Sequence, residues 1–353
     1  MGTGRISHNH IKAICFNHQQ SKLVAICDLN EDNLANCRED IKTQFEENRL
    51  IPPTIKEFKT YEFLIESAKK GDLDLDLIVL CTPSGLHPNQ VIKAAKAGIN
   101  ACTEKPMATR WQDGIDMVKT CDKEAVRLFV VKQNRFNKTI KLLKKQITNG
   151  RFGRLAMVTV NVFWHRPQTY YDQADWRGTW EFDGGALMNQ ASHYVDLLEW
   201  LIGPVQSVSA SLASLGRKIE VEDTASLQLK WRNGALGTMA VTMLTYPKNL
   251  EGSITVLGEK GTVRIGGKAV NKIEHWEFED ESPDDSEIEK INSQISNVYG
   301  QGHSPFYKNM LDTLQGKDKP ICDGREGLKS LELLIGAYRS AREGKNVELP
   351  LEL

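Results

Sequence analysis

Two short stretches hold residues able to do chemistry on an alcohol. The first is Thr103-Glu104-Lys105-Pro106, where a lysine follows an apolar run and precedes a proline that fixes the turn. An ammonium there can hydrogen-bond a substrate hydroxyl and steady the alkoxide as its proton leaves. It can also shuttle a proton if its pKa falls. The second is Gly184-Gly185, followed by Asn189 and His193 as an i, i+4 pair on one helix face, with Asp196 a further turn along. The glycines permit close backbone approach, and the imidazole suits a general base with a pKa near working pH. A surface lysine and a satisfied core histidine are the plain alternatives, and spacing alone does not decide.

Further candidates surround these two. Gly2-Thr3-Gly4-Arg5-Ile6 runs into a helix, so its backbone N–H groups can approach a pyrophosphate at the positive end of a helix dipole. Asp28 ends the next strand, close to the ~20-residue spacing of the dinucleotide fingerprint. Its carboxylate can accept from ribose hydroxyls and would repel a 2′-phosphate, which favours NAD over NADP. It can equally cap the helix that follows. Thr82-Pro83-Ser84-Gly85-Leu86-His87-Pro88 follows a later strand, where such sheets bind ligands. Thr82 and Ser84 lie in a loop that can cover a cofactor. His87 can touch ribose or diphosphate, or cap the next helix. Trp176 and Arg177 sit in an aromatic-rich loop, where rings can stack on a base and the guanidinium can pair with a carboxylate or phosphate. Arg166, Lys248 and His303 are further candidates for an anionic substrate. There is no metal-ligand spacing, phosphate loop or nucleophile elbow.

The elements that must carry these residues fall into two regions. Up to about residue 137, apolar strands alternate with helices. Strands are expected at 23–27, 75–81, 98–103 and 127–131, and helices at 9–18, 33–47, 61–70, 90–97 and 111–124. That alternation predicts a doubly wound parallel sheet of Rossmann type, a dinucleotide-binding domain over 1–137. From 138 to 353 the period becomes two. About six strands, between 155 and 265, form a mostly antiparallel open sheet in an α+β domain for substrate binding and oligomerisation. Helices are expected at 138–149, 184–201 and 326–342, the last able to pack back on the first domain. The acidic stretch 277–289 reads as an exposed, mobile loop. Only Met1 precedes Gly2, so the central first strand of the Rossmann order is missing. The expectation is a longer natural product, with an apolar stretch of about five residues upstream.

Bulk composition narrows the class. The chain has 353 residues, 40% hydrophobic, with a net charge of −1. That balance argues against nucleic acid or an anionic membrane as partner. No apolar run approaches the ~20 residues that span a bilayer. Met1 to His10 is polar and glycine-containing, so a signal peptide is not expected there. Seven unpatterned cysteines read as free thiols of a cytoplasmic protein.

The order Gly-x-Gly, Asp28, Thr82-Pro83 with His87, Glu104-Lys105-Pro106, then Gly184-Gly185 with His193 resembles the glucose–fructose oxidoreductase/inositol dehydrogenase/MocA family over essentially the whole chain. Five runs, Thr103 to Trp111, Val131-Lys132-Gln133-Asn134-Arg135, Gly178 to Gly185, Asn189 to Asp196 and Tyr246 to Gly252, are similar to a branch acting on UDP-N-acetyl-2-amino-2-deoxy-D-glucuronate. The resemblance implies NAD-dependent oxidation of that uronate at C3, a step towards lipopolysaccharide sugars, by a homotetramer packed through its open sheets. It implies that Lys105 and His193 meet over the nicotinamide, with Glu104, Pro106, Gln133, Trp176 and Arg177 at the cofactor. Arg166, Asn189, Lys248, Asn249 and His303 are then at the substrate. Many family members carry aspartate four residues before the histidine. Asn189 stands there instead and cannot take a proton, so Lys105 and His193 must share the acid–base work. Two rivals stay open: another sugar or cyclitol dehydrogenase, which a substrate lacking the carboxylate would reveal, and a non-catalytic NAD-binding sensor, which could dispense with Lys105 and His193.

Overall fold

The computed structural model describes residues 1–292 and 302–352. The chain divides into two compact units: Met1–Val131 with His303–Leu328, and Lys132–Gly302 with Lys329–Leu353. No helix among the described residues is long and apolar enough to cross a membrane.

The first unit carries five short parallel strands, β1 (Ala25–Cys27), β2 (Lys56–Phe58), β3 (Leu77–Leu80), β4 (Asn100–Thr103) and β5 (Leu128–Val130). They form two pieces, β1-β2 and β3-β4-β5. Met1 and Gly2 reach the strands on either side of the gap. Met1 donates from its amine to Val79 O at 2.9 Å and accepts from Cys81 N–H at 2.8 Å, while Gly2 N–H donates to Cys27 O at 2.8 Å. Strand β2 is absent from the sequence reading. Its Lys56-Glu57-Phe58 is mostly exposed at the sheet edge, so no apolar run announces it.

Helices wrap these strands for local reasons. Asn30 caps Glu31–Glu47 by accepting from Asp32 and Asn33 N–H, and Thr60 caps Tyr61–Lys69 through Phe63 N–H. Leu34, Cys37, Ile41 and Phe45 recur on one face of the first of these helices. They bury against Ile11, Cys15 and Ile26, each large side chain contributing about 1.5–3 kcal/mol.

The second unit is built on an eight-stranded sheet rather than the expected six. Its strands are β6 (Leu155–Phe163), β7 (Val205–Ala213), β8 (Thr224–Trp231), β9 (Leu236–Thr242), β10 (Glu251–Gly258), β11 (Gly261–Gly266), β12 (Lys272–Phe278) and β13 (Val347–Glu348). The order is β12-β11-β10-β6-β9-β8-β7-β13, antiparallel throughout except for the parallel pair β6–β9. Strand β8 alternates strictly, burying Ala225, Leu227, Leu229 and Trp231. The helix Gly324–Glu343 turns Gly336 onto this sheet, where an added Cβ would meet Leu349 at 3.1 Å and Val208 at 3.3 Å.

The acidic stretch 277–289 is not a free loop. It continues β12, then forms helical turns over Pro283–Glu287 and Ile288–Ile291, opened by a Ser282–Asp285 capping box. Arg151 holds it through Asp280 and Asp285, and Lys145 through Asp284. Fixed cations therefore offset the repulsion that its charge suggested.

Candidate active site

The cofactor bank belongs to the first unit. Gly2 has φ +79°, and a Cβ there would sit 2.8 Å from Cys81 C and 2.9 Å from Thr82 N. Both constraints call for glycine. Nothing lies within 4 Å of the position a Cβ would take on Gly4. The helix that follows, Ser7–Phe16, has no side-chain cap at Ile6 and no acidic residue in its first turn, so no carboxylate of its own competes for the positive dipole end. Asp28 ties this turn to the sheet. Its Oδ2 accepts from Thr3 N–H at 2.7 Å and from the Thr3 hydroxyl at 3.1 Å. Asn30, not Asp28, caps the next helix, which removes the plain alternative for Asp28. These features fit a dinucleotide: a close backbone turn, an uncapped helix end and a carboxylate beside them.

The loop after β3 serves structure more than the sequence reading expects. The Thr82 hydroxyl donates to Gln90 Oε1 at 2.6 Å, and Ser84 is buried at the start of a short helical turn. His87 is completely buried, with Nδ1 3.1 Å from Pro106 O and Nε2 3.0 Å from Thr82 O. Both ring nitrogens face backbone carbonyls, so His87 ties two loops together rather than offering its ring to ribose or diphosphate. Burial pushes its pKa down.

Lys105 is half-buried after β4, and its peptide bond to Pro106 is cis. Glu104 beside it is buried, and its Oε2 accepts from Lys105 N–H at 3.1 Å. His303, expected near substrate, is buried in this unit with its Nε2 3.8 Å from Glu104 Oε1. Packing of the helix His303–Leu314, for which the sequence reading had no element, puts it there.

The second unit carries His193, the candidate base. His193 lies near the start of the helix Ser192–Ile202 and is buried. Gln133, expected at the cofactor, sets its carboxamide nitrogen 3.2 Å from His193 Nε2. One turn along the helix, Asp196 receives two hydrogen bonds from Arg135 and has Lys132 Nζ at 3.5 Å. Burial alone would raise the Asp196 carboxyl, but Arg135 and Lys132 outweigh it and hold the pKa below its ordinary value. The run Val131 to Arg135 thus supplies the supports of the histidine helix.

Asn189 does not share an α-helix with His193. Residues Ala186–Gln190 form a π turn, closed by Ala191 N–H to Ala186 O at 2.9 Å. The cause lies in Gly184-Gly185 and Glu222. Glu222 accepts from Ala186 N–H through its carbonyl and from Leu187 N–H through Oε1 at 2.8 Å, while a Cβ on Gly185 would fall 1.9 Å from Glu222 Oε2. The Asn189 amide donates to Asp183 Oδ1, and Asp183 Oδ2 accepts from Gly178 N–H at 2.8 Å. Asp183 and Glu222 escaped the sequence reading, although Asp183 directly precedes the glycine pair.

Two more expected residues, Arg166 and Arg177, flank Tyr170. The Arg177 guanidinium lies 4.7 Å from the Tyr170 ring centre and 4.5 Å from that of Trp176, and it donates to the Tyr170 hydroxyl at 3.0 Å. Arg166 stands 5.5 Å from the same ring and donates to Asn249 Oδ1 at 3.3 Å. Asn249 also accepts from His165 N–H at 2.8 Å, so it braces the Arg166 loop. Lys248 is exposed nearby in sequence, beside Tyr246 and Leu250, which are also exposed.

Known proteins align with nearly all of this chain. The WlbA dehydrogenase from Bordetella pertussis, solved in complex with NADH and UDP-GlcNAcA, is 54% identical with a TM-score of 0.90, covering 99% of this chain and 96% of its own. The WlbA enzyme from Chromobacterium violaceum, solved with the same two molecules, is 53% identical with a TM-score of 0.88 over 100% and 95%. A more distant relative, 2,7-anhydro-N-acetylneuraminate hydratase from Escherichia coli, is 27% identical over 65% of this chain and 64% of its own, just under two thirds of its length. Residues 1–132 match the NAD-binding Rossmann fold of the GFO_IDH_MocA oxidoreductase family and residues 144–349 match its C-terminal alpha/beta domain, so the chain belongs to that family of oxidoreductases.

Proposed function

We propose that this chain oxidises the C3 hydroxyl of UDP-N-acetyl-2-amino-2-deoxy-D-glucuronate to the 3-keto nucleotide sugar. One observation carries the reading: whole-length identity of 54% and 53% to two dehydrogenases held with NADH and UDP-GlcNAcA. NAD, when bound, supplies the ring that accepts the hydride. The chain's own residues do the rest. The turn at Gly2–Ile6 receives the pyrophosphate and Asp28 the adenosine ribose. His193 takes the hydroxyl proton at the ring nitrogen that carries its lone pair, and the Gln133 carboxamide, 3.2 Å from Nε2, positions the ring. Lys105 donates to the C3 oxygen as negative charge develops there. Asn189, held by Asp183, orients the sugar. Arg166, Arg177 and Lys248 are the cations available to the uronate carboxylate and the diphosphate.

The wider setting follows from the substrate. We place the enzyme in the cytoplasm, on a route to lipopolysaccharide sugars, where an aminotransferase would consume the ketone. Seven free cysteines suit a reducing compartment. We also infer a homotetramer assembled through the open sheet. Met157 on β6 and Leu236 on β9 pair across the sheet with 37% and 53% of their surfaces exposed, which supports a covered face. Light scattering on the purified protein tests the assembly. Parallel turnover of UDP-GlcNAcA and of UDP-N-acetylglucosamine, which lacks the carboxylate, tests the substrate. A strong preference for the uronate is expected; equal rates would move the assignment to a less selective sugar dehydrogenase.

A further inference from the structure

Buried polar groups of the first unit converge on Glu104. The Tyr307 hydroxyl and His10 Nδ1 are 2.8 Å apart, and His10 Nε2 lies 3.0 Å from Glu104 Oε1. The other oxygen, Oε2, accepts from the Lys105 backbone N–H at 3.1 Å. His10, Glu104 and Tyr307 are respectively 3%, 7% and 2% exposed. Burial lowers the His10 pKa and raises that of Tyr307, so a neutral imidazole meets a neutral phenol. Burial would raise Glu104 too, but the hydrogen bond from His10 and the nearby His303 ring, 3.8 Å away, outweigh it and hold the carboxyl pKa well below its ordinary value. One arrangement of protons satisfies all four groups: Tyr307 O–H donates to His10 Nδ1, His10 Nε2–H donates to the Glu104 carboxylate, and Lys105 N–H donates to its second oxygen.

We propose that His10 and Tyr307 are positioning residues for Lys105, acting through Glu104. His10 lies on the helix that follows the Gly2–Ile6 turn, and Tyr307 on the helix His303–Leu314. The directed chain of hydrogen bonds fixes the Glu104 carboxylate, and that carboxylate fixes the backbone from which the lysine ammonium is aimed. A charge-assisted bond inside a dry site is strong, and a misplacement of about 1 Å can cost on the order of 100-fold in rate. The inference rests on the reading that Lys105 steadies the substrate oxygen. The alternative occupant of the same cluster is a divalent cation, because His10, Glu104 and His303 bring ligand atoms within 4.8 Å of one another.

A double-mutant cycle on the whole protein, with UDP-GlcNAcA and NAD, separates these readings. His10→Leu should lower kcat about 10- to 100-fold while the sugar KM and the NAD Kd move little. His10→Gln, whose amide can still donate to Glu104, should recover most of the rate. In a Lys105→Ala background, His10→Leu should cause no further loss, because the group it positions is gone. An equal fold loss in both backgrounds, or a loss of NAD affinity matching the loss of rate, would overturn the proposal. Near-normal turnover of Lys105→Ala alone sinks the parent reading and is seen without any change at His10. Should His10→Leu fail to fold, Tyr307→Phe removes only the terminal donor and is expected to give a smaller kcat loss of the same kind; no loss would count against the relay. One equivalent of divalent cation per chain by elemental analysis, lost in His303→Ala, would replace the hydrogen-bond relay with a metal site.

Discussion

Arg135 grips Asp196 with two parallel hydrogen bonds, Nε to Oδ2 at 2.8 Å and Nη2 to Oδ1 at 2.7 Å, with the two side chains only 1% and 3% exposed. Lys132 adds a second cation at 3.5 Å and is held by Ser330. Removing one member of such a group leaves an uncompensated buried charge, which costs about 3–5 kcal/mol. Arg135→Leu and Asp196→Ala should each lower the unfolding free energy by that amount in urea titrations. Because Asp196 lies three residues beyond His193, the surviving folded fraction should also turn over more slowly. Loss below 1 kcal/mol would show that the pair is not the support of this helix.

His193→Ala and Lys105→Ala should each reduce turnover by about 10²–10⁴, with NAD affinity nearly unchanged in the histidine variant. Pre-steady-state kinetics would place the loss in the oxidation step. Rates within threefold of the unaltered chain would remove either residue from the chemistry.

Asp28 holds the turn through Thr3 and stands where a ribose is expected. Asp28→Ala deletes a charged acceptor worth about 1.5–3 kcal/mol. The NAD Kd should therefore rise roughly 10- to 100-fold, and the preference for NAD over NADP should shrink. Titration of both cofactors measures the two effects. An unchanged preference would leave Asp28 as a loop anchor alone.

Glu222 makes stability depend on pH in an unusual direction. Burial pushes its carboxyl from 4.5 up to about 7, and Glu199 is raised by burial to a similar value. The folded state therefore holds these protons more tightly than the unfolded chain does. Their stabilising contribution is present below the ordinary carboxylate pKa and is lost as pH rises from about 4.5 to 7. Glu222→Gln retains an acceptor for Leu187 N–H and Tyr338, and it cannot ionise. Between pH 5 and 8 its stability relative to the natural chain should improve by up to about 3 kcal/mol. A constant difference across that range would show that Glu222 titrates normally. Gly185→Ala, which drives a Cβ into the Glu222 carboxylate, should destabilise at every pH.

Much of this was legible in the sequence because periodicity and burial coincide. Strands β6 and β8 have the boundaries that their alternation predicts, and the helix Trp111–Lys123 ends one residue from its predicted limit. Exposed β2 has no apolar signal to read, and β12 shows only interrupted burial. The site was legible as residue types more than as neighbours. Glu104, Lys105 and His193 stand out in the sequence by residue type, and the structure buries Glu104 and His193 and half-buries Lys105. Their partners His10 and Gln133 lie 94 and 60 residues from Glu104 and His193 in sequence, and such long-range pairing leaves no local pattern. His87 and His303, candidates for ligand contact among other places in the sequence, are both buried; a lone histidine carries no mark of burial.

The most direct measurement uses UDP-GlcNAcA carrying deuterium at C3, incubated with the purified chain and NAD, with mass spectrometry of both molecules. The account predicts a sugar lighter by one deuterium and one hydrogen, and a nicotinamide that gains the deuterium. An unlabelled nicotinamide beside an unchanged sugar, with NAD shown to be bound, would contradict it.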